Sequence, residues 1–303
     1  MKLIFFIAFS LTMTFTRAQH EIPLYRGKIP KSKDCGTENK TQINQWGQEV
    51  YTKVNTPTLT IYQANSANIN KTGVLVIPGG GYSILATNHE GHDIAKAFNS
   101  IGVTAFVLKY RLPNDSCMYN KEWVPFLDAQ AAMKHIRDNT IEYGINPDKI
   151  GVIGFSAGGH LASTLATQYQ LNITDLGSRT NARPNFAILG YPVISMEEDS
   201  IVHKGSRNNL IGNDASSATK EQFSSHLQVS RFTPPTFLFH AKDDKTVSVA
   251  NSIKMKAALD AQKVPAELML MEKGGHGFGL INKQEPSDWF KVLQTWMKGQ
   301  GFL

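Results

Sequence analysis

The sequence predicts an α/β fold with one mostly parallel central sheet and helices on both faces. Three observations predict it. Short apolar runs recur at 73–78, 103–110, 150–154, 185–190, 235–240 and 266–271, and helical patterns separate most of them. Several of these runs are apolar throughout rather than alternating, as strands covered on both faces must be. The residues able to do chemistry sit just after such runs, where open parallel sheets bind ligands.

The elements follow in order. Residues 1–18 open with Lys2, continue with an apolar stretch from Leu3 to about Met13, and end in Thr16-Arg17-Ala18. That is the pattern of a secretory signal cleaved after Ala18, and the apolar stretch is too short for a membrane span. Residues 19–56 are polar and mixed. They read as an arm wrapping the domain, with a first strand near Val50. The catalytic domain is expected over 57–303. Its first run, 57–62, alternates apolar and polar and reads as an antiparallel edge strand. The run at 73–78 leads into Gly79-Gly80-Gly81-Tyr82. A helix over 93–100 places Ile94 and Phe98 on one face. After the strand at 103–110, a helix over 128–143 aligns Ala129, Ala132, Met133 and Ile136. Beyond the strand at 185–190, the stretch 192–232 is about forty residues of irregular polar sequence, the length of a lid or binding loop. A helix over 247–262, the strand at 266–271 and a closing helix over 287–298 complete the domain. Trp289, Phe290, Leu293 and Trp296 mark the buried face of the last.

The 303 residues carry 41% hydrophobic and 18% charged side chains, ordinary for a soluble domain with one large core. The net charge of +6 is spread along the chain without a run of like charges, so nucleic acid is not an expected partner. No second stretch qualifies as a membrane span. Cys35 and Cys117 are the only cysteines. A lone pair far apart in sequence makes neither a disulfide framework nor a metal site. A Cys35–Cys117 bridge is therefore not expected, although export would permit one.

The chemistry centres on Gly154-Phe155-Ser156-Ala157-Gly158, a G-x-S-x-G between a strand and a helix. A serine on so tight a turn projects its hydroxyl out of the sheet. Glycines flank it because a Cβ there would collide with the neighbouring turn. The helix starting at Ala157 aims backbone N–H groups at the same spot. The acid and the histidine are then expected later in the chain, in that order. Asp243 and Asp244 follow the run ending at His240, and His276 lies among glycines after the last strand. The spacing Asp-x-x-Val, to Val247, favours Asp244 over Asp243. Ser156 would be the nucleophile, His276 the base and Asp244 its orienting acid. Gly80, Gly81 and Ala157 would supply oxyanion N–H groups. No metal or other cofactor is implied.

With these segments in place, the chain resembles the bacterial acetyl and feruloyl esterases of the α/β-hydrolase superfamily. These act on plant cell-wall polysaccharides and are related to prolyl-oligopeptidase-like and lipase-like hydrolases. The resemblance rests on VLVIPGGGYSILATNHEGHDIAKAF, TAFVLKYRLP, PDKIGVIGFSAGGHLAST, PPTFLFHAKDD and GGHGFGL, and covers about residues 55–300. It implies the same triad and oxyanion groups. It places Tyr82 and Glu90 beside the substrate, or Glu90 in an ion pair with Arg111. It implies an exported or periplasmic esterase that deacetylates an acylated oligosaccharide or polysaccharide of the xylan type. A feruloyl esterase, with Tyr82, Trp123 and Phe155 lining an aromatic pocket, is the first alternative. A prolyl-oligopeptidase-like peptidase is the second, although the glutamate pair that would bind a substrate amine is not found. The sequence departs from the family pattern in lacking a proline after Val247 and in its individual loop at 114–124. The acyl group, the sugar and the oligomeric state stay open.

Overall fold

The computed structural model describes residues 19–36, 38–44, 47–64 and 70–303; the expected leader at 1–18 lies outside them. Eight strands form one sheet among the described residues: β1 (His20–Pro23), β4 (Thr58–Tyr62), β6 (Thr104–Lys109), β5 (Gly73–Ile77), β7 (Ile150–Phe155), β8 (Ala187–Gly190), β9 (Thr236–Ala241) and β10 (Ala266–Met271), in that spatial order. β1 and β6 both pair antiparallel with β4, and every other pairing is parallel. β2 (Lys40–Ile43) and β3 (Glu49–Lys53) form a separate antiparallel hairpin.

Alternation of side chains across β5 sorts the core into two layers. Leu75 and Ile77 pack with the inner faces of α2 (Val124–Asp138), α4 (Ser156–Gln168) and α7 (Ala250–Ala261). Val74 and Val76 face the other way, onto α1 (Asp93–Ser100) and α8 (Trp289–Gly299). The parallel registers align Ile77 with Gly154, Phe155 with Gly190, and Ala241 with Met271. The loops after β5, β7, β8, β9 and β10 therefore open on the same edge of the sheet.

Four expectations need correcting. The strand at 58–62 is antiparallel but not the edge, because β1 from the arm pairs outside it. A four-residue strand with one apolar side chain carries too little pattern to read. The long helix, expected over 128–143, runs from Val124 to Asp138, and a separate short helix, α3 (Thr140–Tyr143), follows it; Pro125 in the first turn is compatible with a helix start. Asp128 lies in the second turn of α2. It is buried with Arg111, whose Nη2 donates to its Oδ1 at 2.6 Å, while Tyr25 donates to the same oxygen at 2.7 Å. Arg111 also donates to Pro30 O at 2.6 Å, which binds the arm to the domain. The stretch 192–232 is helical in part, with α5 (Lys204–Ile211), α6 (Ser217–Gln222) and a 3₁₀ turn at Ser225–Gln228. Finally, Cys35 and Cys117 are joined by a disulfide. Lys33 donates its N–H to Cys117 O at 2.8 Å and Tyr119 donates to Lys31 O at 2.9 Å, so backbone pairing holds the two segments together. Among the described residues no helix is long and apolar enough to cross a membrane.

His160 on α4 links three of these parts. Its Nδ1 accepts from the Tyr82 hydroxyl at 2.7 Å, and its Nε2–H donates to Phe223 O at 2.7 Å, just after α6. Burial pushes its pKa down to about 4, against the opposing pull of the Phe223 carbonyl. The folded protein keeps His160 neutral where an unfolded chain would protonate it. Its contribution to stability is full above about pH 6.5 and is lost as the pH falls from there to about 4, on the order of 3 kcal/mol. Burial pushes His92, His135 and His226 in the same direction. Urea midpoints measured from pH 7.5 to 4 should fall, and His160→Gln should show a visibly shallower fall. An unchanged slope in that variant would remove His160 from the account.

Candidate active site

The turn between β7 and α4 holds Ser156 at φ +52°, a left-handed conformation for a non-glycine residue. Close packing sustains it. A Cβ on Gly158 would lie 2.3 Å from Ile77 O and 2.4 Å from Pro78 O, and one on Gly154 would lie 2.1 Å from Gly158 O. Only glycine lets the start of α4 lie against the end of β5. The carbonyl of Ser156 accepts from Val193 N–H at 3.0 Å, which fixes the far side of the turn.

Ser156 Oγ lies 2.9 Å from His276 Nε2, and His276 Nδ1 lies 2.7 Å from Asp244 Oδ2. The three side chains come from the loops after β7, β9 and β10. A neutral His276 donates Nδ1–H to the carboxylate and accepts from the serine hydroxyl, the arrangement a serine needs to lose its proton. Asp244 is itself buried. Burial alone would raise its pKa. Hydrogen bonds from His240 and His276, the charge of His276 and the Val247 N–H outweigh burial and hold it well below the usual carboxylate range. Its Oδ1 accepts from Thr246 N–H at 2.8 Å and Val247 N–H at 2.9 Å, which explains the Asp-x-x-Val spacing. Asp243 faces elsewhere and accepts Gly275 N–H at 2.8 Å, tethering the histidine loop.

The glycine loop after β5 divides its N–H groups. Gly79 donates to Glu90 Oε2 at 2.8 Å. The N–H groups of Gly80, Gly81 and Ala157 have no acceptor among the described residues. With the positive end of the α4 dipole they can stabilise an oxyanion on a carbonyl attacked by Ser156.

Tyr82 and Glu90 do not line a substrate pocket. They are 2% and 3% exposed. Tyr82 spends its hydroxyl on His160. Glu90, on a π-helical turn at Asn88–His92, serves Gly79 through one oxygen and accepts the Tyr191 hydroxyl at 2.7 Å through the other. Its expected ion pair with Arg111 is absent because Arg111 is committed to Asp128. Phe155 is fully buried between Tyr191, Phe239 and Trp289. Trp123 is half-buried against Phe126 and Phe223. Of the three aromatic residues proposed to line a pocket, Trp123 alone keeps some exposure.

Several site residues escaped the sequence reading. His240 donates Nε2–H toward Asp244 Oδ2 at 3.1 Å and Val247 O at 3.0 Å, while its Nδ1 accepts from Ser252 at 2.8 Å. Tyr191 stacks edge-on to His276 at 5.0 Å and accepts Gly279 N–H at 3.0 Å, as well as serving Glu90. Burial, reinforced by the negative charge of Glu90, raises its pKa well above the usual phenol value, so it stays a donor. Asn209 on α5 donates to Gly81 O at 2.8 Å. Tyr191 and His240 both lie at strand C-terminal ends, and that position was the available signal.

These contacts separate the two neighbouring aspartates. Asp244→Asn should lower kcat by roughly 10³–10⁴-fold. Asp243→Asn, which keeps an acceptor for Gly275, should stay within about tenfold of the parent by the same logic. Steady-state kinetics on an activated ester would decide it, and equal losses would reject the assignment of Asp244.

Residues 59–259 match the BD-FAE family model. An acetylxylan esterase of Xylanibacter ruminicola is 35% identical over 76% of this chain and 46% of its own length. An endo-1,4-beta-xylanase B of Butyrivibrio fibrisolvens is 33% identical over 83% of this chain and 39% of its own. The chain thus spans less than half the length of these curated relatives. The crystal structure of an acetyl ester-xyloside bifunctional hydrolase from Caldicellulosiruptor lactoaceticus superposes with a TM-score of 0.80 at 34% identity, covering 94% of this chain and 97% of that one. With two thirds of its sequence matched and this sheet topology, the chain belongs to the BD-FAE family of the α/β-hydrolase superfamily.

Proposed function

We propose that this chain is an exported serine carboxylic-ester hydrolase that removes acetyl groups from a plant cell-wall polysaccharide of the xylan type through an acyl-enzyme. The observation that carries the reading is the hydrogen-bonded series Asp244–His276–Ser156 set beside the free N–H groups of Gly80, Gly81 and Ala157. Ser156 attacks the ester carbonyl and passes its proton to His276 Nε2. The backbone N–H groups hold the oxyanion. His276 returns the proton to the leaving sugar hydroxyl, and Asp244 stabilises the imidazolium meanwhile. Water then repeats the sequence on the acyl-enzyme.

The names of the relatives support a sugar ester. Burial of Tyr82 and Phe155 supports a small acyl group over a feruloyl group, which needs an aromatic-accepting pocket. The Cys35–Cys117 disulfide supports export, since such bonds persist in oxidising compartments, and so does the leader pattern at 1–18.

Purified protein and Ser156→Ala should be compared on 4-nitrophenyl acetate, methyl ferulate and acetylated xylan. Acetate release from xylan is expected, with kcat reduced at least about 10⁴-fold in the variant. Ferulate cleavage without xylan deacetylation would replace acetyl by feruloyl specificity. Failure on all three esters would reject the reading.

A further inference from the structure

His203 closes the N-terminus of α5, and no motif pointed to it. Its Nδ1 accepts the Ser206 N–H at 3.2 Å and lies 2.7 Å from Ser206 Oγ. A ring nitrogen that accepts a backbone N–H carries no proton. The hydrogen of the neutral ring is therefore on Nε2, which has no partner among the described residues.

Two elements set the ring beside the glycine loop that follows β5. Asn209, six residues further on in α5, donates to Gly81 O at 2.8 Å, so this helix is docked on the oxyanion loop. His203 Cε1 lies 3.8 Å from where a Cβ on Gly81 would be, and Gly81 presents no side chain between them. Just before it, Ile201 O accepts from Asn251 Nδ2 at 2.9 Å, fixing the approach from the α7 side. Burial lowers the His203 pKa, the nearby His276 lowers it further and Asp244 opposes them. Burial thus favours the neutral imidazole, which can donate through Nε2 beside the oxyanion loop.

We propose that His203 is a specificity-determining residue whose Nε2–H donates a hydrogen bond to the sugar hydroxyl next to the ester being cleaved. This rests on the sugar-ester reading above. The acceptor is an oxygen that a sugar ester offers and a simple aryl acetate lacks. A site built to pair such an oxygen favours substrates that carry it.

The test uses His203→Asn. Asparagine is a good helix N-cap and preserves the acceptor for Ser206 N–H, but it is too short to carry a donor to the position of Nε2. Thermal melting would verify that α5 stays docked, and His203→Ser, another good N-cap residue that cannot reach the position of Nε2, serves as a second variant if it does not. Three substrates are compared: 4-nitrophenyl acetate, an acetylated xylo-oligosaccharide, and its analogue with the neighbouring hydroxyl replaced by hydrogen. The ratio of kcat/KM for the sugar ester to that for the aryl ester should fall about tenfold in the variant, mainly through KM. The deoxy analogue should cost the parent the same factor and the variant nothing further. A parent-like ratio in the variant, or equal deoxy losses in both proteins, would overturn the role of His203. A parent that hydrolyses 4-nitrophenyl acetate but neither sugar ester would instead overturn the sugar-ester reading itself.

Discussion

The approach of α4 to the end of β5 is the constraint on which the site depends. Backbone meets backbone there, with Ile77 and Pro78 carbonyls where a Gly158 side chain would be. That contact does two things together. It forces Ser156 into a left-handed conformation that lifts its hydroxyl out of the sheet. It also brings the first N–H groups of α4 beside the glycine loop that follows β5. A nucleophile and an oxyanion pocket thus arise from one packing event, and neither could be moved without the other. The local strain is maintained because the surrounding structure over-determines it.

Buried charge is handled in three ways around this contact. Asp244 is surrounded by donors and kept ionised, ready to stabilise an imidazolium. Glu90 is placed behind the oxyanion loop, where it occupies the Gly79 N–H and leaves the next two to a substrate. Asp128 is consumed by Arg111 and Tyr25 and serves the arm rather than the chemistry. Tyr191 joins two loops of the site through one oxygen. It donates to Glu90 under the glycine loop and accepts from Gly279 in the histidine loop. A shift of either loop would therefore disturb the other, although the glycine loop and the histidine loop are almost two hundred residues apart in sequence.

Most of the sheet was legible because its strands are buried on both faces and therefore uniformly apolar. The placing of Ser156, Asp244 and His276 followed from strand ends and chain order. What escaped is what depends on contacts between distant segments. β1 shows no pattern because it is short and mostly exposed. The beginning of α2 was hidden because its first turn, 124–127, is buried and apolar throughout and shows no helical face. Tyr82 and Glu90 were assigned to the substrate because they are near the site in sequence; their side chains turn inward because the turn behind the loop had polar groups to satisfy. His203 lies in a stretch whose composition resembles a loop, and its capping of Ser206 was not read because histidine is not among the usual N-cap residues.

The bridge between Cys35 and Cys117 closes a covalent ring with a sequence separation of 82 residues. That ring contains β2 through β6 and α1, including the central strand that carries the oxyanion loop. The nucleophile, the acid and the histidine all lie outside it. In topological terms the described chain is a short leading segment, a loop and then a long open tail. A backbone cut anywhere inside the loop opens it into a linear branch and releases no fragment. A cut in the tail can separate the histidine from the serine. Connectivity therefore protects the glycine loop, while folding alone holds the serine, the acid and the histidine together.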